Sequence, residues 1–300
     1  MNQKTLAYLY IIVTVILWGL SFLSTKVALS AFPPMTIGFA RFAIAAVVLF
    51  FMKAQLAPGE RLSPKDRLWA AGAGLTGVTL YFFAENNGIK LISPSECSII
   101  IGAIPVFSML AERIFSGSSL SPIKYAGATL SVVGVWIMVS GGLSVTAHAA
   151  GYLYMFIAAV SWVAYCFLTK PLFARYKMIT IVYYQSLAGL VGFIPFALFE
   201  MPHWKAGNLP VWLNVVYLGI FCSALGYYFY AIGLESLGVT VCSVFLNLIP
   251  VVTVIASFFI FKERLSARSL IGGAIIILGV YLATLGEALI PQPESRMEKK

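Results

Sequence analysis

The chain has 300 residues, 60% of them hydrophobic and 10% charged, with a net charge of +9. Soluble domains carry about 25% charged residues, and a globule this apolar would turn large greasy patches to water. The composition excludes a soluble enzyme and a disordered chain, which leaves a polytopic membrane protein.

Apolar runs between charges and turn residues give ten spans, near 6–29, 36–53, 68–89, 96–115, 123–140, 151–170, 179–199, 211–234, 239–261 and 269–287. Pro33-Pro34, Pro58-Gly59, Ser93-Pro94, the Ser116–Ser121 cluster, Gly141-Gly142 and Pro202 mark the breaks. Lys4 ahead of an apolar run, with Ala28-Leu29-Ser30 behind it, has the outline of a signal peptide. The uncharged stretch from Thr5 to Thr25 is too long for a signal core, so it reads as the first span. The charged tail beyond Pro291 reads as disordered. Cys97, Cys166, Cys222 and Cys242 all fall in apolar stretches without metal spacing, as packing residues do. The positive charge has no run long enough for nucleic acid.

An internal repeat organises these spans. Trp18 and Trp162, Thr25-Lys26 and Thr169-Lys170, and Thr36 and Thr180 are each 144 residues apart. Further on the shift is 145: Gly88 matches Gly233, Cys97-Ser98 matches Cys242-Ser243, Pro105-Val106 matches Pro250-Val251, and Gly134-Val135 matches Gly279-Val280. The expected architecture is all-α, with ten transmembrane helices as two five-helix units at 6–140 and 151–287, then a cytoplasmic tail at 288–300. Five is odd, so the second unit must thread the membrane upside down, as in many alternating-access transporters. With the N-terminus inside, thirteen basic residues fall in cytoplasmic segments and six outside. That bias puts both termini in the cytoplasm.

The order of short motifs resembles the EamA-like branch of the drug/metabolite transporter superfamily. The motifs are Trp18-Gly19 followed by Phe22, Pro34 leading to Arg41-Phe42, mid-helix Pro105 and Pro250, Lys262-Glu263-Arg264-Leu265, and the glycine-spaced ends at Gly134-Val135 and Gly279-Val280. The likeness covers about residues 6–287. It implies ten helices in two inverted repeats, a central cavity, and movement, often export, of small metabolites such as amino acids. The chain departs from an even repeat where Ser118 stands opposite Glu263, and where Val163 follows Trp162 in place of glycine.

Transport needs no covalent chemistry, so the candidates are polar and aromatic groups at membrane depth, which must face a cavity or one another. Pro105 and Pro250 should kink their helices against the carbonyls of Ile101 and Leu246. Ser243 and Asn247 share a face just before Pro250 and are candidate substrate partners. Trp18, Tyr81, Trp162 and Tyr227 lie near span centres, where an N–H or O–H wants a partner. Arg41 and Glu85 lie at similar depth and are expected to pair, so that Glu85→Ala would partly rescue Arg41→Ala. The alternatives are that each snorkels to the outer surface, or that Glu85 couples transport to protons. Glycines 219, 226 and 233, and Gly127, Ser131 and Gly134, form stripes for close helix packing.

An intramembrane enzyme would need a nucleophile with a base, or metal ligands. His148 and His203 lie in or beside outer connections, and no H-E-x-x-H or G-x-S-x-G motif occurs. A channel would want a selectivity ring or pore symmetry. The reading is therefore a plasma-membrane exporter, in the bacterial inner membrane, with a small-molecule substrate and the lipid bilayer as partners. A channel and a drug-efflux carrier are its alternatives. No cofactor, metal, catalytic residue or nucleic acid is expected, and a homodimer is left open.

Overall fold

The computed structural model describes residues 3–102, 104–116, 121–139, 149–262 and 267–288, and every regular element among them is helical. Glu263, its counterpart Ser118, His148 and the 289–300 tail lie outside the described residues. The first two spans are α1 (Gln3–Ala28) and α2 (Pro34–Leu56). The third is α3 (Pro64–Gly74), a π-helical segment (Leu75–Leu80) and α4 (Tyr81–Leu91) in one continuous run. The fourth is split into α5 (Pro94–Ile101) and α6 (Ile104–Ser116), and the fifth is α7 (Pro122–Val139).

The same plan then recurs. α8 (Ala149–Thr169) and α9 (Met178–Glu200) are followed by α10 (Leu209–Tyr217), a second π segment (Leu218–Leu225) and α11 (Gly226–Leu246). α12 (Ile249–Phe261) and α13 (Ala267–Ala288) complete the described chain. α11 turns a corner at Gly238, whose φ of 81° belongs to the left-handed region that glycine enters without steric cost. Among the described residues, six runs are long and apolar enough to cross a membrane: Lys4–Ala28, Pro34–Leu56, Ala149–Leu172, Met178–His203, Leu209–Val239 and Val241–Ile260.

The expected proline kinks are breaks instead. α6 and α12 start anew at Ile104 and Ile249, one residue ahead of Pro105 and Pro250. In the first turn of a helix, proline's missing N–H costs nothing and its fixed φ suits the start. Each helix is therefore interrupted where a kink was expected, and the interruptions correspond under the 145-residue shift.

Packing follows the repeat. α1 lies along α10, the second π segment and α11, and α8 lies along α3, the first π segment and α4. α1 also packs on α12 as α8 does on α6, while α2 meets α9 and α7 meets α13. Small residues permit the closest approaches. A Cβ on Gly134 would come within 2.8 Å of the Gly272 carbonyl oxygen, and one on Gly279 within 2.6 Å of that of Gly127. The glycine stripe on the eighth span is likewise used inside the chain: Gly219 faces Ile44, Gly226 faces Trp18 and Gly233 faces Ile11.

Two carboxylates tie helix starts to distant helix ends. Glu200, at the end of α9, accepts from the backbone N–H of Thr36 (2.7 Å) and Met35 (3.2 Å) at the start of α2. Glu60, just past α2, accepts from the N–H of Lys177 just ahead of α9 (3.3 Å). Such carboxylates satisfy the orphan donors of a helix N-terminus and complement its dipole. The first turn of α3 carries a further lock. Asp66 accepts from Tyr176 (2.8 Å) and pairs with Arg175 (2.6 Å) of the connection after α8. At the other end of α2, the Lys205 N–H donates to the Ala31 carbonyl, and Trp204 donates to Thr36.

Candidate functional site: a charged cavity walled by aromatic rings

The centre of the bundle is an aromatic cluster contributed by both halves. Trp18 and Trp162 meet edge to face, with centroids 5.2 Å apart and planes at 88°. Tyr81 lies 5.1 Å from Trp162, and Tyr227 5.6 Å from each tryptophan. All four of the expected aromatic residues therefore come together. Tyr165 and Tyr230, neither of them among the expected cavity residues, pack on Trp162 at 4.9 and 5.2 Å.

The π segments explain where the polar tips of these rings go. A π turn breaks the regular i→i−4 ladder, which frees carbonyls for other donors. Tyr227 O–H donates to the carbonyl of Gly77 in the first π segment (2.7 Å), and Trp18 Nε1–H to that of Cys222 in the second (2.9 Å). Gly77 and Cys222 correspond under the 145-residue shift. These two buried ring donors thus meet backbone acceptors, whereas Tyr81 and Trp162 donate to side chains and Tyr165 O–H is buried without a partner.

Between the rings lies a cavity of about 20 Å³, room for about one water. Trp18, Tyr81, Trp162 and Tyr227 form part of its wall, together with Arg41 and Glu85. The breaks between α5 and α6 and between α11 and α12 close it. Ile101 and Ile104 line it from one, Leu246 and Ile249 from the other, and these four are repeat equivalents. Ser243 and Asn247 lie on the same helix end but not in the cavity wall. Ser243 Oγ sits 2.8 Å from Ser108 Oγ, while neither amide atom of the fully buried Asn247 has a hydrogen-bond partner.

Arg41 and Glu85 are 1% and 3% exposed, so neither snorkels to a surface. The expected direct ion pair between them is not formed; each is held by a neutral partner instead. Arg41 Nε instead donates to Ser223 Oγ (2.8 Å) across the two halves, and the guanidinium lies 4.0 Å over the Phe82 ring. A guanidinium on an aromatic face is attracted by the ring's quadrupole. Its Nη1 is buried without a partner. Glu85 Oε1 accepts from Tyr81 O–H at 2.7 Å, one helical turn away. Phe82 and Ser223 gave no sequence signal as site residues; only the fold brings them to Arg41.

Two stretches of the sequence, residues 5–140 and 149–285, each match the EamA-like transporter family. The chain belongs to that family. Its relatives include the probable terminal-alkyne amino-acid exporter of Streptantibioticus cattleyicolor, 27% identical over 91% of this chain and 91% of that protein. The aromatic amino acid exporter YddG of Ancylobacter novellus is 26% identical over 90% of this chain and 94% of its own length. A solved crystal structure, 24% identical, superposes with a TM-score of 0.78 and covers 95% of this chain and 99% of the other, which shows the fold. Membership in the EamA-like family makes the protein a multi-pass membrane transporter and not an enzyme.

Proposed function

We propose that this EamA-like protein is a secondary carrier that exports small metabolites, amino acids among them, by alternating access through the aromatic cavity. The observation that carries this reading is the cavity itself. It sits at the junction of the two halves, holds both charges and aromatic rings, and is capped by two repeat-equivalent helix breaks. Broken helices at the midplane of inverted repeats are a recurring device for opening a site to one side and then the other. A breathing motion at Gly102 and at residues 247–248 would enlarge the pocket beyond the single-water size of this conformation.

The same reading takes the chain as ten spans in two inverted five-helix units, 6–140 and 151–287. Crossed carboxylate locks support it: Glu200 at the end of α9 meets the start of α2, and Glu60 past the end of α2 meets the start of α9. α2 and α9 are repeat equivalents, and these contacts run them in opposite directions. The basic-residue bias supports cytoplasmic termini in a bacterial inner membrane. Two named exporters among the relatives favour amino acids and the outward direction.

Purified protein in liposomes tests the proposal. Saturable counterflow of a preloaded solute is the expected result. Flux that rises linearly with concentration and shows no exchange would mean a channel.

A further inference from the structure

Arg41 and Glu85 present a problem that the carrier reading leaves open. A buried charge is costly unless paired, and these two opposite charges line the same cavity without touching one another. Each is held in place by a neutral partner. Ser223 fixes Arg41 Nε, and the Phe82 face sets the plane of the guanidinium, which leaves Nη1 with no acceptor. Tyr81 occupies Glu85 Oε1, and no bond among the described residues involves Oε2. The site therefore offers a donor for an anion and an acceptor for a cation, both preorganised, with aromatic walls between.

Resting on the carrier reading, we propose that the cavity recognises the zwitterionic head of a free α-amino acid, with Arg41 binding its carboxylate and Glu85 its ammonium. The argument is one of complementary charge. A simple anion would satisfy Arg41 and strand Glu85, and a simple cation would do the reverse. A neutral drug would leave both unpaired. A ligand that carries one charge of each sign on two groups bonded to the same carbon compensates both at once, and guanidinium is the group best shaped for two-point contact with a carboxylate. The neighbouring rings of Trp18, Trp162 and Tyr227 give the side chain of such a ligand an apolar surface, so the head is read by charge and the side chain by fit.

The two charges come from the first half alone. Their counterparts, Gln185 and Tyr230, are neutral: Gln185 Nε2 donates to Thr169 Oγ1 (2.8 Å) while its Oε1 is buried without a partner, and Tyr230 O–H accepts from Trp162 Nε1–H (3.3 Å). A pseudo-symmetric scaffold thus carries one polarised site, which orients the substrate head toward the α2 and α4 wall.

The test is counterflow in liposomes with the twenty proteinogenic L-amino acids as probes, followed by competition with the carboxamide and the N-acetyl derivative of whichever exchanges. Both derivatives are expected to compete at least about tenfold more weakly than the parent, the worth of one hydrogen bond to a charged group. Arg41→Gln should erase the penalty on the carboxamide alone, and Glu85→Gln the penalty on the N-acetyl derivative alone. Arg41→Lys keeps the charge without the fork and should restore part of the discrimination. The wild-type competition decides the matter even if a variant fails to fold. Equal competition by parent and both derivatives would overturn the zwitterion assignment while leaving the carrier intact. Exchange of none of the twenty would also overturn it; exchange of uncharged solutes by the same liposomes would then keep the carrier reading, and no exchange of any solute would remove both.

Discussion

In the first half of the chain, position 41 is an arginine and position 85 a glutamate; in the second, the equivalent positions are Gln185 and Tyr230. The backbone around these pairs has hardly diverged. Both halves interrupt their third helix with a π segment, both free a carbonyl at the same place, and both break their fourth helix one residue before a proline. Duplication has kept the mechanical parts and let the chemistry drift. The comparison separates two kinds of residue, those whose loss should cost the same in either half and those whose loss should matter in one half only.

The largest expected effect falls on the one-sided residues. Arg41→Gln should lower amino-acid counterflow by roughly 30- to 150-fold, from about 2–3 kcal/mol of charge-assisted hydrogen bonding. Gln185→Ala should cost no more than about fivefold, as one neutral hydrogen bond would. Equal losses would erase the contrast between the halves. Because the two charges do not touch, Glu85→Ala should not rescue Arg41→Ala.

The shared scaffold gives smaller effects. Gly226→Ala places a Cβ 2.6 Å from Trp18 Nε1, whereas Gly273→Ala meets nothing within 4 Å. The first should lower stability in detergent by about 1–3 kcal/mol, and the second should leave it unchanged or slightly raised. Trp18→Phe and Tyr227→Phe each remove one donor from a π-segment carbonyl. Tyr227→Phe should cost about 1 kcal/mol, and Trp18→Phe more, because it also removes buried ring volume.

The smallest effect is at the membrane edge. The Ser63 hydroxyl, then Tyr176 and Arg175, hold the Asp66 carboxyl below its ordinary value of 3.8. A depressed carboxylate contributes stability that is fully present above 3.8 and lost as pH falls through the lower native value. Thermal midpoints of the wild type should therefore drop on acidification below pH 3.8, and Asp66→Asn should flatten that dependence.

Much of this plan could be read from the residues. Apolar run lengths gave the helices, and the 144- and 145-residue spacings gave the repeat. The aromatic cluster was legible because a tryptophan or tyrosine far from an interface needs a partner. The π segments were not, since Leu75–Leu80 and Leu218–Leu225 are apolar runs like any other helix interior. The prolines misled by position: Pro105 and Pro250 sit mid-span but open new helices, a distinction that depends on whether Gly102 and residues 247–248 continue the turn. Charge and depth placed Arg41 and Glu85 together but could not show that Ser223 and Tyr81, far away and one turn away in sequence, would hold them apart.

The central claim is that equivalent connections lie on opposite membrane faces. Ser30 and Ala174 are both exposed, are 144 residues apart, and belong to the connections after the first and sixth helices. In a chain whose four buried cysteines have been replaced, Ser30→Cys should react with an impermeant thiol reagent from outside intact cells. Ala174→Cys should react only once the cytoplasmic face is opened. Labelling of both from the same side would contradict the inverted arrangement and the shared cavity built upon it.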